Sequence, residues 1–365
     1  MGKHQLLGAE VSYYTGKVRA YLRYKHIPFE EVAATREVYR DVIVPRTGVR
    51  FIPVLIADDD VVVQDSTAIV DFLEQRVPEP ALHPAGPVQQ LASLLFEVYG
   101  DEWLLLPAMH YRWNVPENRA FAIEEFGRLS VPGATPEEHR AIGEKLAGPF
   151  AGALPTLGVS AQTAPAIEAS YLGFLDAFAA HLRVHPFLLG ARPALGDFAL
   201  YGPLYAHLYR DPASGRLMRA RAPEVAAWVE RMTSPPETRG PFVDDDLVPA
   251  TLEPLLARLF GEFGPLLEVA LARLDALTLP AGEPLPRGLG THAFRLGDAE
   301  GERTVRTFNV WRWQRAHDHY GALTPEARAR ADALLGRVGG GALMAQPIAR
   351  RLARVNNRLV FAAEQ

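Results

Sequence analysis

The sequence predicts a small mixed α/β domain at the N-terminus followed by an all-α domain. Three observations carry this. Strand-like and helix-like patterns alternate over the first 80 residues. A proline-rich run, residues 77–84, interrupts them. From Pro87 to about Met232 the apolar residues recur at helical spacing alone. The bulk composition permits such a protein. A chain of 365 residues has room for about two domains, and 48% hydrophobic with 22% charged residues is the balance of an ordinary globular chain. The net charge of −5 and the lack of a dominant basic stripe argue against a nucleic-acid partner. No apolar run reaches the ~18 residues of a membrane span. The first seven residues lack a signal-peptide core, and Leu6 stands where myristoylation of Gly2 wants Ser or Thr. The absence of cysteine excludes disulfides, thiolate metal sites and a protein thiol nucleophile, and it suits a cytoplasmic protein.

In chain order, residues 5–8 read as a strand. Residues 17–25 read as a helix with Val18, Tyr21 and Leu22 on one face. Pro28 ends it, and residues 29–33 form a second strand. A less regular segment punctuated by Pro45 and Gly48 follows. Residues 53–56 and 61–63 are strands joined by the three-aspartate turn 58–60, so short a turn that the pair is antiparallel. A helix over 66–75 buries Ile69, Phe72 and Leu73 and completes a four-stranded mixed sheet. Beyond the linker come helices over 91–106, 167–182, 198–209 and 223–232. Another starts at Thr135, the N-cap, with Pro136 at N1 and Glu138 at N3 as in a capping box. The last 130 residues predict one or two helices over 248–277, a hairpin of strands 293–296 and 304–308, and a helix from Thr324. A basic stretch containing Arg350, Arg351, Arg354 and Arg358 reads as a solvated helix face. Domain limits are placed at 1–80, 87–235 and 236–365, the last packed on the helical domain.

Four motifs in order sharpen the picture. They are residues 12–19 (SYYTGKVR) with 25–30 (KHIPFE), 51–55 (FIPVL), 63–69 (VQDSTAI) and 187–198 (FLLGARPALGDF). Together they span about residues 5–232 and resemble the glutathione transferase superfamily. The resemblance implies a thioredoxin-like α/β domain, then an all-α glutathione transferase-type domain, here with a C-terminal extension containing helices and a possible β-hairpin. It implies glutathione as cosubstrate, no metal, a small electrophilic and apolar or aromatic substrate, a homodimer, and a role in detoxification. The expected reaction is attack of the glutathione thiolate on an electrophilic carbon. A glutathione-dependent isomerase or peroxidase, or a non-catalytic binding or assembly module, are the competing readings.

The resemblance also distributes roles. Ser66, where a helix follows a strand, suits the γ-glutamyl carboxylate through its hydroxyl and the free N–H groups there. Asp65 suits the amine, within one subunit or across a dimer. Either residue could instead cap the helix. A cis peptide before Pro53 would free the backbone of Ile52 for the cysteinyl residue to pair as an added strand. The alternative is an ordinary trans proline opening an edge strand. Ser12 leads for the catalytic role, since a hydroxyl at a helix N-terminus can hydrogen-bond a thiolate, and Tyr14 is second. Tyr13 and Thr15 share the turn, so the thiol's donor is open among the four, and Ser12 also fits as a helix cap. Lys17 and Arg50 could meet the glycyl carboxylate or stand as surface charges. Trp103, His110, Tyr111 and Trp113 offer an aromatic wall for the electrophile, although packing explains Trp103 as well. Asp197 reads as structural, with Ala194 where the family's capping box has Ser or Thr. Neither His181 with His185 nor His317 with His319 makes a convincing metal pair. Residues 308–313 could cover the pocket or seal the tail to the body.

Overall fold

The computed structural model describes residues 3–235 and 240–363. Gly2, weighed above for acylation, and the expected boundary at residue 236 lie outside them. The principal elements are β1 (His4–Gly8), α1 (Tyr13–Tyr24), β2 (Phe29–Ala33), β3 (Val54–Ile56), β4 (Val62–Gln64) and α2 (Ser66–Arg76). Helices α3 (Pro87–Val98), α4 (Leu105–Asn114), α5 (Pro116–Ser130), α6 (Pro136–Gly152) and α7 (Ala164–Leu182) follow. Next come α8 (Leu195–Ala206), α9 (Pro212–Arg221), α10 (Pro223–Thr233), α11 (Glu253–Arg258) and α12 (Gly264–Asp275). The hairpin β5 (Gly288–Leu296) and β6 (Ala299–Arg306) leads into α13 (Thr307–Gly321) and α14 (Pro325–Val338), and β7 (Leu352–Val355) with β8 (Arg358–Phe361) ends the chain.

Two compact units interleave in sequence. One comprises Met1–Leu82, Pro107–Ala153 and Phe198–Thr238; the other His83–Leu106, Leu154–Asp197 and Arg239–Gln365. The first break falls between Leu82 and His83. The helical region, however, is shared, and the extension joins α3 and α7 in the second unit instead of following the helical domain as a third body.

In the first unit the sheet order is β2-β1-β3-β4, with β1 and β2 parallel and the other pairs antiparallel. Side chains alternate across the pleat. Leu7, Val54 and Ile56 therefore share one face with Ala34 and Ile43. Leu6 and Leu55 point the other way, where Val18, Tyr21 and Leu22 of α1 and Ile69, Val70 and Leu73 of α2 are fully buried. Farther along, α5 and α6 form a helical hairpin so close that a Cβ on Gly127 would lie 1.8 Å from the His139 carbonyl, and one on Gly143 would lie 1.9 Å from that of Ile123. Only glycine permits that approach. Thr135 and Glu138 make the expected capping box of α6.

In the second unit α3 is buried all round, as a helix with Val88, Leu91, Ala92, Leu95 and Phe96 must be. Helices α13 and α14 pack on it, and α11 packs on α7. Residues 308–313 are neither strand nor lid. The second hairpin strand stops at Arg306, and Val310 and Trp313 of α13 are buried, sealing that helix to its unit. The basic C-terminal stretch is a hairpin, not a helix face. Asn356 and Asn357 turn it at φ of 48° and 61°, a conformation asparagine tolerates and a helix does not use. Arg350 donates to the carbonyls of Leu277 and Leu279 and lies over the Phe361 ring. Asp197 is structural: its carboxylate accepts from Ala194 N at 2.9 Å and Leu188 N at 3.1 Å, while Ser93 Oγ accepts from Gly196 N. His181 bonds Thr251 and the Phe187 carbonyl.

Candidate functional site

The turn between β1 and α1 is built first. Ser12 takes an extended conformation and caps α1, its Oγ accepting from Thr15 N at 3.3 Å. That bond uses a lone pair of the hydroxyl and not its proton. Thr15 is buried. Its Oγ1 lies 3.5 Å from Ala9 N, and a Cβ on Gly8 would sit 2.3 Å from its methyl group. Tyr13 is buried with its ring 4.5 Å from that of Tyr14 and 5.9 Å from that of His207, while Tyr14 is half-buried. Burial, helped by the Arg112 charge, pushes the His207 imidazole well below its ordinary range, so it is neutral.

Arg112, which the sequence reading passed over, holds this turn. It is buried, grips Asp211 with two hydrogen bonds of 2.7 Å, and donates through Nη1 to the Val11 carbonyl at 2.9 Å, next to Ser12. A charge set among Tyr111 and Trp113 in an apolar helix was the available signal, because a buried guanidinium needs a paired carboxylate. On the other side Arg19 donates to the Ala9 carbonyl and to Glu31.

The second wall is the start of α2. Asp65 sits at φ 92°, a region that residues with a side chain avoid. It caps the helix by accepting from Thr67 N at 3.0 Å and Ala68 N at 3.3 Å, and its own N–H donates to the Pro53 carbonyl at 3.2 Å. Ser66 is 1% exposed, and its Oγ has no hydrogen-bond partner among the described residues. Such orphaned buried hydroxyls are uncommon. Lys17 is fully buried and donates from Nζ to Thr67 Oγ1 at 3.3 Å, which removes it from the surface charges and adds Thr67 to the site. The Ile52–Pro53 peptide is cis, and the backbone N–H and C=O of Ile52 pair with no described residue. Arg50 is exposed.

The four aromatic-wall residues separate. His110, Tyr111 and Trp113 lie in the first unit and are buried. His110 Nδ1 meets Asn114 at 3.1 Å, Asn118 ties the Tyr111 carbonyl, and Trp113 packs with Phe126 and Phe150. Trp103 belongs to the second unit. There it contacts Phe263 and donates to Glu262 at 2.9 Å.

A four-stranded mixed sheet with a cis-proline strand and a capped first helix defines a thioredoxin-like domain. Residues 6–81 match the family model described as the glutathione S-transferase N-terminal domain, and residues 155–236 match that of the glutathione S-transferase C-terminal domain. The chain belongs to the glutathione S-transferase superfamily: a thioredoxin-like domain, a helical domain, and an extra C-terminal region of helices and hairpins.

Among solved structures, a glutathione S-transferase from Rhodospirillum rubrum F11 is 17% identical, covering 68% of this chain and 96% of its own at a TM-score of 0.43. The β-etherase LigF from Sphingobium sp. strain SYK-6 is 19% identical, covering 64% and 96% at 0.48. A glutathione S-transferase from Methylobacterium radiotolerans JCM 2831, solved with glutathione sulfonate, is 24% identical, covering 67% and 100% at 0.39. No curated protein sequence matches the chain.

Proposed function

We propose that the protein is a glutathione transferase in which Ser66, Asp65 and the backbone of Ile52 hold glutathione, and Ser12 steadies its thiolate for attack on an electrophilic carbon. The observation that carries this reading is the Ser66 hydroxyl, buried at the first residue of α2 without a partner. A carboxylate there would meet that hydroxyl at the positive end of α2, whose Thr67 and Ala68 N–H groups already bond Asp65. Lys17, buried and bonded to Thr67 beside Ser66 in the chain, adds positive charge to the same corner. The free backbone of Ile52 suits an extended peptide.

Ser12 supports the catalytic role because its cap bond leaves a proton to donate. Tyr14 is the second candidate on the same turn. Tyr13 and Thr15 serve by shaping it, and Arg50 is the exposed cation left for the glycyl carboxylate. His110 and Tyr111 directly precede the Arg112 anchor of that turn and are kept as the substrate-side wall. No described helix is long and apolar enough to cross a membrane. A cytoplasmic homodimer acting in detoxification is the form we expect.

The test is calorimetric titration with glutathione. Wild type should bind, and Ser66→Ala should weaken binding by about 1.5–3 kcal/mol, the worth of a hydrogen bond to a charged group. No binding by wild type up to millimolar glutathione would sink the transferase reading and leave the fold as a scaffold.

A further inference from the structure

The β5–β6 hairpin carries a second cleft, entirely within the second unit. Its volume is about 430 Å³, and its lining includes Trp103, Glu262, Leu266, His292, Phe294 and Arg303. His292 pairs across the hairpin with Arg303, and Phe294 with Gly301, so these side chains share the inward face. The seat is fitted to them. A Cβ on Gly158, at φ 90°, would lie 2.4 Å from the Phe294 ring and 3.2 Å from Arg303 Cβ, and one on Gly301 would lie 2.6 Å from the Thr163 methyl. Trp103 ends one π-helical turn, Tyr99–Trp103, and Glu262 lies in another, Leu259–Phe263. Such turns cluster at functional sites.

The unsatisfied group is Arg303. It is 1% exposed, and its Nε and Nη1 have no hydrogen-bond partner among the described residues. The guanidinium lies 5.2 Å from the Trp103 ring and 5.7 Å from that of Phe294. The carboxylate on the cleft wall is already used. Glu262 accepts from Trp103 Nε1 and Ser170 Oγ through one oxygen and from Arg258 through the other. Glu102, a buried acid whose charge acts on Arg303, accepts from Asn309 at 2.6 Å. Burial, with Arg306 as the second cause and the Glu102 charge opposing both, pushes the Arg303 guanidinium down to about 9, which still leaves it charged at neutral pH. A buried guanidinium with aromatic faces beside it, two nitrogens unbonded and no carboxylate hydrogen-bonded to it is costly to maintain, and an anion entering the cleft would relieve that cost.

We infer that this cleft binds a small aromatic carboxylate, its charge on Arg303 and its ring among Trp103, Leu266 and Phe294. The inference is independent of the glutathione site, which lies in the first unit. The probe is 2-naphthoate, titrated against the full chain by calorimetry beside its neutral isostere 2-naphthamide. Wild type should prefer the carboxylate at least tenfold, and Arg303→Gln should abolish that preference, with Arg303→Lys restoring part of it. Equal binding of the two probes by wild type, no binding of naphthoate below millimolar, or an Arg303→Gln variant that keeps the preference would each overturn the proposal. Should Arg303→Gln not fold, photolabelling of wild type with 4-azidobenzoate decides. Adducts on residues of this cleft support the site, and adducts confined elsewhere overturn it.

Discussion

Ser12 holds a backbone N–H and a free proton at once, and the two duties separate by substitution. Ser12→Ala removes both, with a loss of about 1 kcal/mol in stability from the missing cap. Ser12→Asp keeps a capping oxygen but offers no donor to a thiolate. If Ser12 serves the thiol, Ser12→Asp should recover stability in urea unfolding and lose turnover as fully as Ser12→Ala. Recovery of both would reduce Ser12 to a cap. A second residue-scale expectation concerns His181. Burial, the largest cause, lowers its imidazole to about 4, against a weaker opposing effect of its bond to the Phe187 carbonyl. The unfolded chain takes up that proton near pH 6.5 and the native chain resists it. His181 therefore contributes fully above pH 6.5, and its contribution falls as pH drops from 6.5 to about 4, by at most about 3 kcal/mol. Unfolding free energies of wild type and His181→Gln at pH 7 and pH 5 measure this. The gap should shrink at pH 5, and a constant gap refutes the assignment.

Among elements, the α5–α6 hairpin is the most exacting. Its helices touch backbone to backbone at Gly127 and Gly143, and a methyl group has nowhere to go because the atom it meets is a carbonyl oxygen. Gly127→Ala should cost about 1–3 kcal/mol or more, overriding the usual gain of alanine in a helix. Gly148, with open space around its Cβ position, should tolerate the same change or gain from it. Thermal unfolding of the two variants side by side checks the contrast, and equal midpoints would contradict it. The β1–α1 turn depends on a different device. Arg112 in α4 and Asp211, the residue before α9, are distant in sequence and meet only in the fold, where each makes the other's burial tolerable.

At the scale of the whole molecule, the extension is part of a core and not an appendage. Residues of α13 and α14 cover α3, and Asn309 and Arg315 of α13 meet Glu102 and Glu97. A chain cut after residue 238 would expose Val88, Leu91 and Leu95 and leave Glu97 and Glu102 without those partners. It should express insolubly, or bind a hydrophobic dye with loss of near-ultraviolet circular dichroism. A truncated chain as soluble and as sharply cooperative as the full one would refute the shared core.

The sequence by itself determined the N-terminal sheet, the turn of three aspartates, the capping box at Thr135 and the order of motifs. Each of these is written in neighbouring residues: alternation for strands, helical spacing for helices, proline and glycine for breaks. It also singled out Ser12, Pro53, Asp65 and Ser66, because their turns are local. Tertiary structure alone decided what needs distant residues to meet. It buried Lys17 against Thr67, tied Arg112 to Asp211, closed the aromatic run at Trp113 against Phe126 and Phe150, and moved Trp103 into another unit. It turned the basic tail into a hairpin at Asn356 and Asn357, and it left Ser66 and Arg303 buried without partners. The reason is physical. Local pattern encodes backbone conformation, whereas burial, pairing and the cost of an unpaired charge are properties of the space that packing creates.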